Sequence, residues 1–196
     1  MALTTPRLPR AFFARDPLVL ARDLLGRVLF YKTPQGLLAG RIVETEAYRG
    51  EADPASHAFR GRTARNAVMF GPAGRAYVYF TYGMHHCLNV TAGSSGTAGA
   101  VLLRALEPLA GVEIMRSRGD RGPEQRLLSG PGKIGRAFRL TLADNGRDFI
   151  RGPLGLAAGS PVPDREVATS PRIGISRAVD LPYRFAVTGS GSVSRP

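Results

Sequence analysis

Glu44, Glu46 and Glu51 crowd the end of one apolar-flanked segment, and then acid disappears: from Pro54 to Leu106 the chain has no aspartate or glutamate. That stretch holds Arg60, Arg62, Arg65, Arg75 and Arg104, the three histidines His57, His85 and His86, and the aromatic run Tyr77, Tyr79, Phe80 and Tyr82. A basic surface interleaved with aromatics suits a polyanion whose bases can stack. A carboxylate delivered to its edge adds chemistry to binding. It can take a proton from water and steady positive charge developing on a sugar. Glu46 is the first candidate for that work. Glu44 is a rival base or a structural partner. A strand glutamate is more often simply solvated, so Glu46 alone decides nothing.

The neighbouring residues carry further signals. His57, eleven residues after Glu46, is a pocket candidate or a hydrogen-bonded structural residue. Three histidines without a usable carboxylate triplet do not make a metal site, so neither metal nor cofactor is expected. Tyr77 and Tyr79 share one strand face, where aromatics are usually core. Tyr82-Gly83-Met84 differs, because an aromatic at a glycine turn can project and wedge between base steps. Asn89 and Arg104 are polar residues inside apolar strands, and each needs a partner if buried. Ser129-Gly130-Pro131-Gly132-Lys133 opens a helix whose N-terminus, with Ser129 as cap, can hold a phosphate. Its glycine spacing is not that of a P-loop.

The elements that must position these residues can be sketched. Pro6 and Pro9 interrupt any early helix, so 1–10 is expected to be loose. Asp16-Pro17 reads as N-cap and first residue of a helix with Leu18, Leu20, Leu24 and Leu25 as its apolar stripe and Gly26 as its end. Arg27 to Tyr31 and Leu37 to Tyr48 form a hairpin about the turn Thr33–Gly36, with Glu44, Glu46 and Tyr48 on one face and Val43, Thr45 and Ala47 on the other. A long loop over 49–75, with a short helix near Thr63–Phe70, leads to strands at Ala76–Tyr82, His86–Thr91 and Ala98–Leu106. Pro108 is expected to start a helix through Met115, and Gly119–Pro123 to be a mobile loop. Another helix runs from Ser129 to about Leu140. Arg172–Ser176 and Tyr183–Thr188 read as late strands, and 189–196 as a loose end.

Net charge is +12 with a sequence pI near 11.1, which points to nucleic acid or an anionic surface. Only Lys32 and Lys133 are lysines, so arginine supplies the charge, with the bidentate phosphate contacts it allows. Arginine-rich codon usage explains part of that excess, so placement matters more than amount. Cys87 stands alone, which excludes a disulfide within the chain and fits a cytoplasmic location. No apolar run approaches a membrane helix, and the N-terminus lacks a signal-peptide block.

Taken together these residues resemble the alkyladenine DNA glycosylase family, the mammalian-type 3-methyladenine DNA glycosylases. The matching segments are Arg41-Ile42-Val43-Glu44-Thr45-Glu46-Ala47-Tyr48, Met69-Phe70-Gly71-Pro72, Tyr77-Val78-Tyr79, Tyr82-Gly83-Met84 through Cys87 and Asn89, and Val101 to Pro108. Ser129-Gly130-Pro131 and Pro182-Tyr183-Arg184-Phe185 extend the match. The resemblance implies a mixed α/β (α+β) single domain over 1–196, with a curved, mostly antiparallel sheet flanked by helices. It implies excision of alkylated or deaminated purines from double-stranded DNA by a monomeric, monofunctional enzyme. Glu46 would activate the water that attacks the anomeric carbon, and Arg104 would help hold it. The flipped base would lie between Tyr48 on one side and His57 with Tyr79 on the other, and Asn89 would crowd the amino group of guanine. Tyr82, braced by Met84, would fill the gap in the duplex. Arg65, Ser129, Gly130 and Lys133 are expected at DNA phosphates. Two features depart from the family pattern: His86 stands where an aromatic is commoner, and Gly189–Ser194 lacks an aromatic. With no long N-terminal extension, the catalytic core is expected to be the whole protein.

A binding module without catalysis would explain the charge and aromatics but leave Glu46, Asn89 and Arg104 unused. A glycoside hydrolase using Glu44 and Glu46 would leave the positive charge unused.

Overall fold

The strand that carries both candidate carboxylates is the longest in the molecule, and the sheet is organised around it. In the computed structural model, which describes residues 5–119 and 122–194, this strand is β2, Gly36–Tyr48; β1 is Val28–Thr33. The first half of β2 pairs with β1, from Val28 opposite Arg41 to Thr33 opposite Gly36. Its second half pairs with β8, Arg184–Val187, through Glu44 to Glu46. The other edge of β2 runs along β5, Ala100–Ala110. Beyond β5 lie β4, His85–Thr91, and then β3, Ala76–Thr81. β6, Leu154–Ala157, closes the far side against β1, and β7, Val167–Ser170, pairs with β8. All these pairs are antiparallel. The expected single-domain mixed α/β fold is therefore what the chain adopts.

The period of two along β2 divides its roles. Val43 and Ala47 join the main core, and Thr45 Oγ1 donates to Ala21 O at 2.8 Å on the same side. Glu44 and Glu46 point to the opposite face and are fully buried there. The core face is covered by α2, Pro17–Asp23, and α4, Pro131–Phe138, whose Leu20, Ile134 and Phe138 share one core with Val90 and Leu103. Asp16 caps α2 by accepting from Leu18 N–H at 2.8 Å, with Pro17 at its first position, as the sequence predicts. A smaller cluster of Ala58, Met69, Tyr77 and Ala100 packs the 49–75 loop against the carboxylate side of the sheet.

Several expectations need correction. A short helix α1, Arg10–Phe13, precedes α2. Pro108 does not start a helix. It continues β5 opposite Gly40, beside a register shift, a position where a missing N–H is tolerated. The helix, α3, is Val112–Ser117, following Gly111. Ser129 is not the cap of α4, because Gly130 takes that position without a side-chain bond. Arg172–Ser176 is not a strand, since that segment crosses the carboxylate face, and β7 comes earlier. The lead-in is tied down where described: Leu8 N–H donates to Leu156 O, and Ala158 N–H to Pro6 O. The closing segment folds back as far as Ser194, whose N–H donates to Glu44 Oε2 at 2.7 Å. Residues 1–4, 195 and 196, and residues 120 and 121 of the expected mobile loop, lie outside the described residues. Among the described residues no helix is long and apolar enough to cross a membrane.

Candidate active site

The two carboxylates of β2 have different surroundings. The β2–β5 ladder slips between Ile42 and Glu44 and again between Glu44 and Thr45. Such irregularities re-aim side chains. Glu44 accepts from Arg104 Nε at 3.0 Å, Arg184 Nε at 2.7 Å, Ser194 N–H at 2.7 Å and Ser194 Oγ at 2.9 Å. Four donors thus converge on Glu44, three of them on Oε1. Burial alone would raise its pKa, but Ser194, Arg184 and Arg104 more than offset that and hold it below the ordinary value. Glu46 accepts from Ile173 N–H at 2.7 Å and from Tyr48 OH at 2.9 Å, and its Oε1 lies 3.2 Å from Arg104 Nη1. That leaves capacity on Glu46 for one more donor. Burial works against the Arg104 charge, but Glu46 and Glu44 together raise its pKa, so it stays a cation.

Above Glu46 opens a cavity of about 780 Å³. Tyr48, Arg104 and Ile173, which hold Glu46, all line it, so the carboxylate lies under its floor. His57, Tyr77, Tyr79 and Asn89 form further walls. His57 Nδ1 lies 2.8 Å from Tyr77 OH, and its ring meets Tyr79 edge-on at 4.5 Å between centroids. Asn66 fixes this loop by donating to His57 O and Gly61 O. Packing strips water from His57 and, with the Arg65 charge, lowers its pKa, which favours neutral imidazole. Burial raises the Tyr48 phenol, reinforced by Glu46, and the Tyr79 phenol, reinforced by Cys87; it pushes Tyr77 up to about 12. All three phenols therefore stay protonated near neutral pH. Asn89 Nδ2 donates to Tyr77 O at 3.0 Å, so this buried amide is held in place. The pocket thus offers aromatic faces and neutral polar groups above the charged floor, with Arg60 and Arg177 also in its lining.

At the cavity rim the β3–β4 hairpin turns through Tyr82-Gly83-Met84, closed by Met84 N–H donating to Thr81 O at 3.2 Å. Tyr82 has φ +52° and Gly83 φ +67°. Glycine takes that conformation freely, but an aromatic pays about 1–2 kcal/mol for it. Tyr82 is nevertheless 78% exposed and Met84 69%. Backbone strain of this kind clusters at binding sites and clamps.

Residues 11–191 match the family model described as methylpurine-DNA glycosylase. The chain belongs to that family. Membership makes it an enzyme, a monofunctional DNA glycosylase that hydrolyses N-glycosyl bonds. A protein of Carboxydothermus hydrogenoformans is 49% identical to it over 189 residues, covering 96% of this chain and 98% of its own length. One of Koribacter versatilis is 51% identical over 194 residues, covering 95% and 92%. One of Methanoculleus marisnigri is 47% identical over 192 residues, covering 96% and 98%. Each carries the provisional name 3-methyladenine DNA glycosylase.

In this methylpurine-DNA glycosylase family member, Arg104, Tyr48, His57, Tyr79 and Asn89 line one cavity with Glu46 beneath its floor, and Tyr82 stands at its rim. The residues expected at phosphates are arranged otherwise. Arg65 is exposed, but its guanidinium lies 5.4 Å over the Tyr79 ring. Ser129 Oγ donates to Arg126 O at 3.0 Å and is buried, and Lys133 Nζ donates to the same carbonyl at 2.6 Å. Only the Gly130-Pro131 start of α4 reaches the cavity, through Pro131. His86 pairs with the Phe80 ring at 5.0 Å.

Arg172 escaped the sequence reading. Its buried guanidinium grips Asp53 through both nitrogens, at 2.5 and 2.8 Å, and donates to Ala47 O at 2.9 Å. It also lies 4.7 Å over the Tyr48 ring and 5.1 Å over Tyr183. The next residue, Ile173, donates to Glu46. Arg172 therefore backs the aromatic wall and fixes the carboxylate at once. Nothing local marks it, because Asp53 is 119 positions away.

Proposed function

We propose that this DNA glycosylase extrudes a damaged purine nucleotide from duplex DNA into the cavity and hydrolyses its N-glycosidic bond, with 3-methyladenine, 7-methylguanine, hypoxanthine and ethenoadenine as its substrate range. The observation that carries this reading is Glu46: a fully buried carboxylate with room for one more donor, under a pocket of aromatic faces. A base inside the stack is out of reach, so it must be flipped at a cost of a few kcal/mol, least for a damaged base. Tyr82 fills the gap in the duplex, with Met84 beside it. The base stacks between Tyr48 and the His57–Tyr79 pair. A cationic alkylpurine over a tyrosine face gains roughly 0.5–2 kcal/mol. Asn89 crowds the amino group of guanine and so rejects it.

Glu46 takes one proton from a water beside it and Arg104. The water oxygen bonds to the anomeric carbon as the bond to the base nitrogen breaks. The bonding pair leaves with the base, which neutralises a cationic alkylpurine; a neutral purine such as hypoxanthine must also gain a proton as it departs. The products are free base and an abasic site in an unbroken strand. The buried Arg104, 3.2 Å from Glu46 Oε1, keeps that carboxylate in register throughout. The enzyme works as a monomer on cytoplasmic DNA.

The test is incubation with duplexes carrying single 3-methyladenine or hypoxanthine residues. The expected products are free base and alkali-labile strands that remain intact before alkali. Tight DNA binding with no base released from either lesion would overturn the reading in favour of a binding module.

A further inference from the structure

A second depression lies across the hairpin from the base cavity. Tyr82 borders the first and Met84 the second. Helix α4 spans both: Pro131 lines the base cavity, and Gly132, Gly135 and Arg136, with Arg139 just past its end, line the other. The second groove encloses about 650 Å³, and no acidic side chain lines it among the described residues. It exists because α4 lies directly on the hairpin: a Cβ on Gly135 would fall 2.0 Å from His86 O.

Two features of its far end are unfavourable without a ligand. Arg139 follows α4 with φ +54°, the left-handed position where glycine usually ends a helix. Arg118 stands beside it, close enough that the Arg139 charge, after desolvation by burial, lowers the Arg118 pKa. Arg118 is already fixed by neutral acceptors, Ala137 O at 2.6 Å and Gln35 Oε1 at 2.5 Å. One arginine there suffices to satisfy the end of the helix. A second, in a strained backbone and against a like charge, answers to an anion. Arg139 and Arg118 also border the adjoining depression with Lys32, so the basic surface continues.

We propose that this groove is a second anion site that holds phosphates of the DNA backbone beyond the wedge. Tyr82 and Met84 are two residues apart on the hairpin and border one depression each, so a duplex seated on Tyr82 would continue over the groove that holds Arg139. The assignment rests on the DNA-excision reading above.

The test is the salt dependence of affinity for an undamaged 25-base-pair duplex. Arg139→Gly removes the charge and relieves the backbone, so the variant should melt at or above the wild-type temperature. Its affinity should fall roughly threefold to tenfold at low salt, and its log–log salt slope by about 1. Arg118→Gln with Arg139→Gly should lower the slope by about 2. Arg165→Gln, beside the Arg22–Asp164 pair near α2, is the control for generic charge and should leave the slope unchanged. Wild-type affinity and slope in Arg139→Gly would overturn the proposal. So would inorganic phosphate at constant ionic strength raising the wild-type but not the variant Tm while DNA slopes stay equal, which would make the groove a free-phosphate site. A wild type that binds with a steep slope but releases no base would sink the excision reading and leave this test standing.

Discussion

The floor of the cavity and the tip of the hairpin lie at two ends of the same site and are built on opposite principles. At the floor, Glu46, Arg104 and Arg172 are buried and each is tied to several partners from distant parts of the chain. At the tip, Tyr82 and Met84 are exposed and Gly83 has open space around it. Charge chemistry needs groups held still in a dry place, where their interactions are strong and reorganisation is small. In the proposed reading Tyr82 is a wedge that must be free to enter another molecule, and its backbone strain is the local cost of that exposure. Stability and function therefore run together at the floor and against each other at the tip.

The largest effect should come from breaking the floor. Arg172→Met leaves Asp53 buried without its partner, and such losses cost about 3–5 kcal/mol. Chemical denaturation should show that loss, and excision by the remaining folded protein should slow because Tyr48 and Ile173 lose their backing. Unchanged excision per folded molecule would separate Arg172 from the site.

Acid should attack the same region next. Glu44 and Asp53 both have lowered pKa values in the fold, against burial, because of their arginine and N–H partners. A depressed carboxylate contributes stability that is complete above its unfolded value and lost as pH falls through its folded one. The protein should therefore lose stability below about pH 4, the ordinary carboxylate range. Glu44→Gln should be less stable at pH 7 and show a shallower acid decline. Parallel declines in the two proteins would contradict that assignment.

The smallest effect on stability belongs to the tip, and it has the opposite sign. Tyr82→Gly should gain about 1 kcal/mol by releasing the left-handed strain, whereas Tyr82→Ala should not. Both should bind lesion duplexes more weakly. Equal stability of the two variants would show that Tyr82 is not strained, and wild-type lesion affinity in both would remove the wedge.

The tip was legible in the sequence because its signals are local: a tyrosine before a glycine between two alternating strands. Glu46 and Tyr48 were legible as neighbours for the same reason, since a period of two puts them on one face. The partners of the floor were not. Glu44 meets Arg184 and Ser194 only because β8 docks beside β2 and the closing segment folds back, contacts that span 140 and 150 positions. Pro108 misled because its ring signals a helix start, while the ladder irregularity beside Gly40 lets it stay in a strand. The closing segment looked loose by its glycine and serine content, yet a buried carboxylate in need of donors holds it down.

Two glutamates on one strand face offer the most direct test of the chemistry. Single-turnover release of 3-methyladenine from a duplex should be compared for wild type, Glu46→Gln and Glu44→Gln, with lesion binding and Tm measured alongside. Glu46→Gln should fold, bind the lesion and lose excision by roughly 10²–10⁴-fold, the range for a general base. Glu44→Gln should melt earlier but keep most of its release per folded molecule. Normal release by Glu46→Gln, or loss confined to Glu44→Gln, would contradict the assignment of the water-activating base to Glu46.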